Sequence, residues 1–370
     1  MPNPLRIIIA GGGTGGHIFP AIAVAQAIQK IQPDAAILFV GAKGKMEMEK
    51  VPQAGYKIKG LTIAGLNRSN ILKNWSLPFK LIKSFFQVRA IFNKFKPNAV
   101  FGVGGYSSFP VLKFSQAKNI PTFIHESNAF AGKSNIWLGQ NATIIFTGTK
   151  GMEKFFPAQK IMVTGNPVRK NIIEQNATKA SSLLTFGLLP TRKTLLIIGG
   201  SLGASSINKA IKNNLEKFVQ LGIQLIWQTG KPNANEYMNA ANNYSNVYVN
   251  SFIDDMSAAY SAADIVVSRS GAMAVAELCI TGKPSVFVPY PFAAEDHQTF
   301  NAMTLVNEGA ACIVKDQEVE EKLIDTISQL VNDEALCNAM ENKIKSFARI
   351  DADAVIAKAI INKVENSNSI

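Results

Sequence analysis

Residues 7–17 read IIIAGGGTGGH, a run of β-branched apolar side chains that passes directly into five glycines and one of the chain's three histidines. An apolar run closed by glycine is the pattern of a strand buried on both faces. Glycine lets backbone amides approach a phosphate closely, and a helix that follows adds the positive end of its dipole. Residues 195–204, LLIIGGSLGA, repeat the pattern. Two copies so far apart predict two similar domains, each opening on a strand, a glycine turn and a helix.

Outward from these two points, strand-like and helical patterns alternate. The first half is expected to place strands near 5–10, 36–40, 98–103, 121–125 and 143–147, with helices near 18–31, 76–95, 108–118 and 132–140. The segment 163–172, VTGNPVRKNI, joins the halves, and Gly165 and Pro167 mark the break. Strands then restart near 194–199, 223–228, 246–250, 264–268, 284–288 and 310–314, and only helices follow from about 317. This βα alternation predicts α/β domains with parallel sheets, one over 1–165 and one over 166–350. A last helix at 351–366 is expected to pack back on the first domain. In such sheets ligands bind beyond the carboxyl ends of the strands, so the chemistry is sought in the loops found there.

The composition fits. A chain of 370 residues, 47% apolar and 17% charged, is globular and long enough for two cores. No apolar run reaches the roughly 18 residues that cross a bilayer, the N-terminus lacks the layout of a signal peptide, and a cytosolic protein is expected. Cys279, Cys312 and Cys337 have no metal-ligand spacing and read as reduced structural thiols. The net charge of +12 is uneven: residues 1–165 carry 20 Lys and Arg against 5 Asp and Glu, whereas 166–370 carry 18 against 21. A basic first half points to an anionic partner.

The first glycine loop lacks the G-x-G-x-x-G spacing of a dinucleotide fingerprint, whose acidic residue lies about 20 positions on; Asp34 falls before the second strand rather than at its end. It also lacks the Gly-Lys-Ser/Thr of a P-loop, which disfavours a nucleotide hydrolase. Further strand ends carry GVGGYSS (102–108), HESNAFAGKSN (125–135), GGSLGA (199–204), FIDDM (252–256), SRSGAMAVAE (268–277) and PYPFAAEDHQTFNA (289–302). All three histidines, His17, His125 and His297, fall among them. Gly271-Ala272 opens a helix and offers an anion site, and Glu277 further along it is either a solvated helix carboxylate or an acceptor for the two hydroxyls of a ribose.

Taken together, GGGTGGHIFPAIAVA, GVGGYSS, HESNAFAGKSN, TGNPVR, GGSLGA, FIDDM, SRSGAMAVAE and HQTFNA resemble, in order and spacing, the MurG family of peptidoglycan synthesis, from about residue 5 to 350. The resemblance implies a GT-B glycosyltransferase fold, two Rossmann-like domains facing a cleft. It implies inverting transfer of GlcNAc from UDP-GlcNAc to the C4 hydroxyl of MurNAc in lipid I, which forms lipid II and serves the cell wall, cell shape and cell division. The donor contacts it implies are Thr14, Gly15, Gly16, Asn128, Arg169, Ser201, Ile253 through its backbone against uracil, Ala272, Met273 and Ala274 at the diphosphate, Glu277 at the ribose, and Gln298 at the sugar. Gly104, Gly105 and Tyr106 are expected at the acceptor diphosphate. His17 is the first candidate for the base that takes the acceptor proton and Glu126 the second. Helix N-termini and Arg169 are expected to stabilise the leaving UDP with no metal and no cofactor. Two departures stand out: some members have Thr where Ala274 stands, and a Gln-Gln pair where this chain has His297-Gln298.

The stretch 67–96, NRSNILKNWSLPFKLIKSFFQVRAIFNKFK, holds seven basic residues and no acidic one. It reads as an amphipathic core helix with a solvated basic face, or as a contact with an anionic membrane; no nucleic-acid motif accompanies it. Because lipid I lies in the membrane, the resemblance favours a peripheral location on the cytoplasmic side of the bacterial inner membrane, with Trp75, Phe79, Lys80 and Lys83 as contacts. A UDP-GlcNAc 2-epimerase, similar in fold, and an inactive glycolipid-binding protein are the rival readings.

Overall fold

The computed structural model describes residues 4–65, 75–174, 177–200 and 202–368. The chain divides into two compact units, Met1–Arg169 with Asp351–Ile370, and Lys170–Ile350.

The first unit is built on seven strands: β1 (Arg6–Ala10), β2 (Ala36–Ala42), β3 (Lys57–Leu61), β4 (Ala99–Gly102), β5 (Thr122–Glu126), β6 (Ile144–Thr147) and β7 (Ile161–Val163). They pair in parallel in the order β3-β2-β1-β4-β5-β6-β7. The central strands are largely buried and carry apolar runs because helices cover both faces. Ile7, Ile8 and Ile9 of β1 are all buried, Ile7 and Ile9 in one core and Ile8 in another. The two strands that periodicity does not announce, β3 and β7, are the edges of this sheet. Their sequences, KIKGL and IMV, expose alternate or terminal residues, and the one is broken by lysines while the other is only three residues long.

The second unit has six parallel strands, β8 (Thr194–Ile198), β9 (Gln224–Gln228), β10 (Val247–Asn250), β11 (Ile265–Ser268), β12 (Ser285–Phe287) and β13 (Cys312–Ile313), in the order β10-β9-β8-β11-β12-β13. Both orders are doubly wound, and each reverses direction beside its first strand, at β1/β4 and at β8/β11. The loops that leave those strands flank the crevice where such folds hold ligands.

The helix Ala352–Asn368 returns to the first unit and lies against the helix Gly15–Ile31. Ile356, Ala357, Ile360, Ile361 and Val364 share one core with Ile18, Ala21, Val24, Ala25 and Ile28. Burying each Ile or Val stabilises by about 1.5–3 kcal/mol, which ties the end of the chain firmly to its beginning.

Candidate functional site

In the first unit, the loops after β1 and β4 are packed backbone against backbone. A Cβ on Gly105 would fall 2.4 Å from the carbonyl oxygen of Gly12, and one on Gly11 would fall 2.6 Å from that of Gly104. The glycines that the sequence offered as a phosphate cradle are thus required first by the contact between two loops. One loop amide is already taken by an internal anion, since Gly13 N–H donates to Glu47 Oε2 at 2.9 Å.

The helix that follows begins at Gly15, earlier than its apolar period suggests, so His17 stands in its first turn. His17 Nδ1 lies 3.1 Å from the carbonyl oxygen of Gly12 and 3.4 Å from Thr14 Oγ1. A carbonyl only accepts, so Nδ1 carries a proton, and in the neutral ring the lone pair is on Nε2. Nε2 borders Gly104, where a Cβ would come within 2.9 Å of it. Tyr106 lies over the same loop, its ring 3.9 Å from a Cβ built on Gly13, and burial followed by the charge of Glu47 raises its hydroxyl above the ordinary tyrosine value.

At the end of β5, the other candidate base is engaged differently. Glu126 is 3% exposed. Its Oε1 accepts from the backbone N–H of Asn128 at 3.1 Å and from Asn128 Nδ2 at 3.2 Å, and its Oε2 from the N–H of Gly132 at 3.0 Å and Asn135 Nδ2 at 2.9 Å. Four donors fill the lone-pair sites of a carboxylate, so this side chain organises the loop 127–132 and orients Asn128. Arg169 places its guanidinium over the ring of Phe19, 5.2 Å from the centroid.

His125, by contrast, is a structural residue despite its place at a strand end. It is fully buried, its Nε2–H donates to the carbonyl oxygen of Gly165 at 3.2 Å, and its Nδ1 accepts from Ser127 Oγ at 3.3 Å. Burial, against the Gly165 hydrogen bond and helped by the charge of His17, lowers its pKa to about 4. The folded pKa lies below the unfolded one, so the unfolded chain binds the proton first and stability falls as pH drops from about 6.5 to about 4. Urea unfolding is expected to show a loss of about 3 kcal/mol from this residue across that window. A His125→Gln variant should lack it, and an equal pH slope in both proteins would refute the assignment.

In the second unit, the loop after β8 is held as the first one is. A Cβ on Gly203 would lie 2.1 Å from the carbonyl oxygen of Thr229, so the β8 and β9 loops also touch through backbone. Gln228, at the end of β9, bridges two parts of the expected nucleotide site: its Nε2 donates to Gly200 O at 3.3 Å, and its Oε1 accepts from Ile253 N–H at 3.0 Å. The amide expected to read uracil therefore has an internal partner. Ser201 lies outside the described residues.

Beyond β11, Gly271 caps the helix Ala272–Thr281, with open space where its Cβ would be and no acidic residue in the first turn. Ala272, Met273 and Ala274 form that first turn. Glu277 is 8% exposed, and Tyr260 Oη donates to its Oε2 at 2.9 Å. It is not a solvated helix carboxylate. Gln298 is anchored through its backbone by Ser270 Oγ at 2.8 Å and accepts at Oε1 from Tyr290 N–H at 2.9 Å. The turn before it is strained, with Glu295 and Asp296 at φ of 50° and 52°.

Several organising residues escape sequence reading. Arg269 Nη1 binds Asp316 Oδ1 at 2.6 Å and the carbonyl oxygens of Val288 and Pro289, while its Nη2 reaches Ser206 Oγ at 3.2 Å. This joins the loops after β11 and β12 to the helix Ser205–Asn213. Arg269 sits inside a quoted motif, but its partner lies 47 positions away. Glu47 and Gln228 carry no signal that separates them from ordinary polar residues.

Two doubly wound parallel sheets, each with a glycine loop at its reversal and one with a helix N-terminus and buried carboxylate beside it, give the two-domain α/β architecture of the GT-B class of fold. The N-terminal domain of glycosyltransferase family 28 matches residues 7–147, and its C-terminal domain matches 194–354. A UDP-N-acetylglucosamine--N-acetylmuramyl-(pentapeptide) pyrophosphoryl-undecaprenol N-acetylglucosamine transferase of Bacteroides thetaiotaomicron is 48% identical, covering 100% of both chains. The like-named protein of Cytophaga hutchinsonii is 46% identical over 98% of each. The crystal structure of Acinetobacter baumannii MurG superposes with a TM-score of 0.76 at 29% identity, over 97% of this chain and 100% of that one. The chain belongs to the MurG family. A UDP-N-acetylglucosamine 2-epimerase structure, at 14% identity and a TM-score of 0.63 over 96% and 95% of the two chains, shares the fold alone.

Proposed function

We propose that the chain transfers GlcNAc from UDP-GlcNAc to the C4 hydroxyl of MurNAc in lipid I, with inversion, to give lipid II. The observation that carries this reading is 48% identity along the whole of a relative so named, through both domains. In the first unit, His17 Nε2 accepts the acceptor proton as the hydroxyl attacks, with Thr14, Gly15 and Gly16 beside the reacting sugar and Gly104, Gly105 and Tyr106 toward the acceptor diphosphate. Glu126 fixes Asn128 for the sugar. In the second unit, the amides of Ala272, Met273 and Ala274 receive the donor diphosphate and Glu277 the ribose. Ile253 meets uracil through its backbone carbonyl oxygen, since its N–H is held by Gln228, Ser201 contacts the donor nucleotide, and Gln298 offers its Nε2 to a sugar oxygen. Arg169 balances charge on the leaving UDP.

The acceptor's lipid places the reaction at the cytoplasmic face of the inner membrane. Support comes from the helix Leu77–Phe95 and the residues just before it, where Trp75, Phe79, Ile82 and Phe86 recur at helical spacing and are exposed by 76%, 68%, 56% and 68%. Lys80 and Lys83 stand among them, whereas Phe92 of the same basic stretch is buried in the core. The part of the stretch at 67–74 lies outside the described residues. Each cation near an anionic surface contributes about 1 kcal/mol, and inserted aromatic rings add to it. No helix among the described residues is long and apolar enough to cross a membrane.

One experiment tests both parts. UDP release is measured with vesicles containing a lipid I analogue, and bound protein is sedimented with them. Release is expected only with the analogue, binding only with anionic lipid, and a Lys80→Glu/Lys83→Glu double variant should lose binding. Release without acceptor would favour a hydrolase, conversion of UDP-GlcNAc to its C2 epimer without net UDP release would favour an epimerase, and binding to neutral vesicles would remove the electrostatic contact.

A further inference from the structure

Glu47 is 1% exposed and lies beneath the loop that precedes His17. Its Oε1 accepts from the backbone N–H of Ala42, at the end of β2, at 2.9 Å, and its Oε2 from that of Gly13 at 2.9 Å. Among the described residues no cation pairs with it. A buried carboxylate held only by backbone amides is costly unless both bonds are kept, so it clamps the two segments that supply them.

The chain leaves room for this carboxylate in two places. A Cβ on Gly12 would fall 2.4 Å from Glu47 Cδ, and one on Gly41 would fall 2.5 Å from Glu47 Cγ. Gly12 also has φ of 148°, a conformation that side chains disfavour. The carbonyl of this same Gly12 is the acceptor 3.1 Å from His17 Nδ1. Glu47 therefore acts at one remove on the imidazole: it holds the Gly12-Gly13 peptide, and that peptide fixes which nitrogen carries the proton.

We propose that Glu47 is a positioning residue for the transfer reaction, a buried anion that locks the Gly12-Gly13 peptide so that His17 is kept in the Nδ1–H tautomer with Nε2 basic. The inference rests on the reading of His17 as the base. The second glycine loop uses the neutral Gln228 for the comparable tie. The carboxylate is thus particular to the loop that carries the histidine.

The test uses Glu47→Gln in the full chain. A carboxamide keeps the shape but turns an N–H toward one of the two amides, so both bonds cannot persist. We expect kcat to fall about 10–100-fold, as for other small misplacements of a reacting group, with KM for UDP-GlcNAc little changed. With three histidines in the chain, ring ¹⁵N spectra resolve the tautomer directly. The wild type should show His17 as Nδ1–H, and the variant a mixture. Gly41→Ala keeps the charge but displaces the carboxylate, and should shift kcat and the tautomer in the same direction, which guards against a Glu47→Gln chain that fails to fold. Unchanged kcat, or a lower kcat with His17 still wholly Nδ1–H in both variants, would overturn the proposal. If the tautomer shifts but His17→Ala retains turnover, positioning stands and the assignment of the base falls.

Discussion

Replacing His17 with alanine is expected to lower kcat by about 100-fold or more, the usual contribution of a general base, while UDP-GlcNAc binds almost as before. The geometry sets this expectation. Nδ1 is committed to the Gly12 carbonyl, so only Nε2 can accept a proton, and it borders the glycine loop after β4 rather than the core. The rival base, Glu126, has its four acceptor sites filled by Asn128, Gly132 and Asn135. Taking a proton there would break at least one buried hydrogen bond, a cost of about 1–3 kcal/mol before any chemistry begins. Steady-state kinetics with a lipid I analogue, paired with calorimetry of UDP-GlcNAc, separate the two: normal turnover in His17→Ala would remove the histidine from the mechanism.

The second large effect is expected at the donor. Glu277→Ala should weaken UDP binding by about 100-fold or more, because hydrogen bonds from two vicinal hydroxyls to a carboxylate contribute roughly 1.5–3 kcal/mol each. The loss should appear in KM rather than in the proton transfer. Alanine also removes the acceptor of the buried Tyr260 hydroxyl, so the variant should be less stable as well. Glu277→Gln keeps an acceptor for Tyr260 and separates the effects: weaker UDP binding with nearly normal stability supports ribose recognition. Unchanged UDP affinity in both variants would leave Glu277 as a partner of Tyr260 and no more.

Much of the fold is legible because parallel strands buried on both faces must be apolar without interruption. β1, β4, β8 and β11 each carry such a run and stand out in the sequence, whereas β5 ends it in His125 and Glu126. β3 and β7 do not, since an edge strand faces solvent and can be short or lysine-bearing. The candidate site is legible only where local sequence determines local chemistry. Glycines and a histidine before a helix are visible. Their meaning is not: Gly105 is required by the carbonyl of Gly12, a contact between segments some ninety residues apart, and no local pattern encodes that. His125 and His17 look alike as residues at strand ends, yet one is sealed in and the other is not, because His125 lies within a strand covered on both faces whereas His17 stands past the strand, in the first turn of a helix. Arg269 and Asp316, or Glu47 and Gly13, find each other only after the sheet is assembled.

The return of the helix Ala352–Asn368 to the first unit has a consequence for biogenesis. A ribosome releases the first seven strands well before the helix that completes their core. At about 5–20 residues per second, the intervening stretch takes roughly 10–40 s to synthesise. For that interval the nascent chain presents Ile18, Val24, Ala25 and Ile28 without their cover, a sticky strip on an otherwise assembled unit. The second unit, contiguous from Lys170 to Ile350, has no such wait. Maturation is therefore out of order: the part begun last is finished first, and chaperone capture or premature termination would fall most heavily on the half that carries His17.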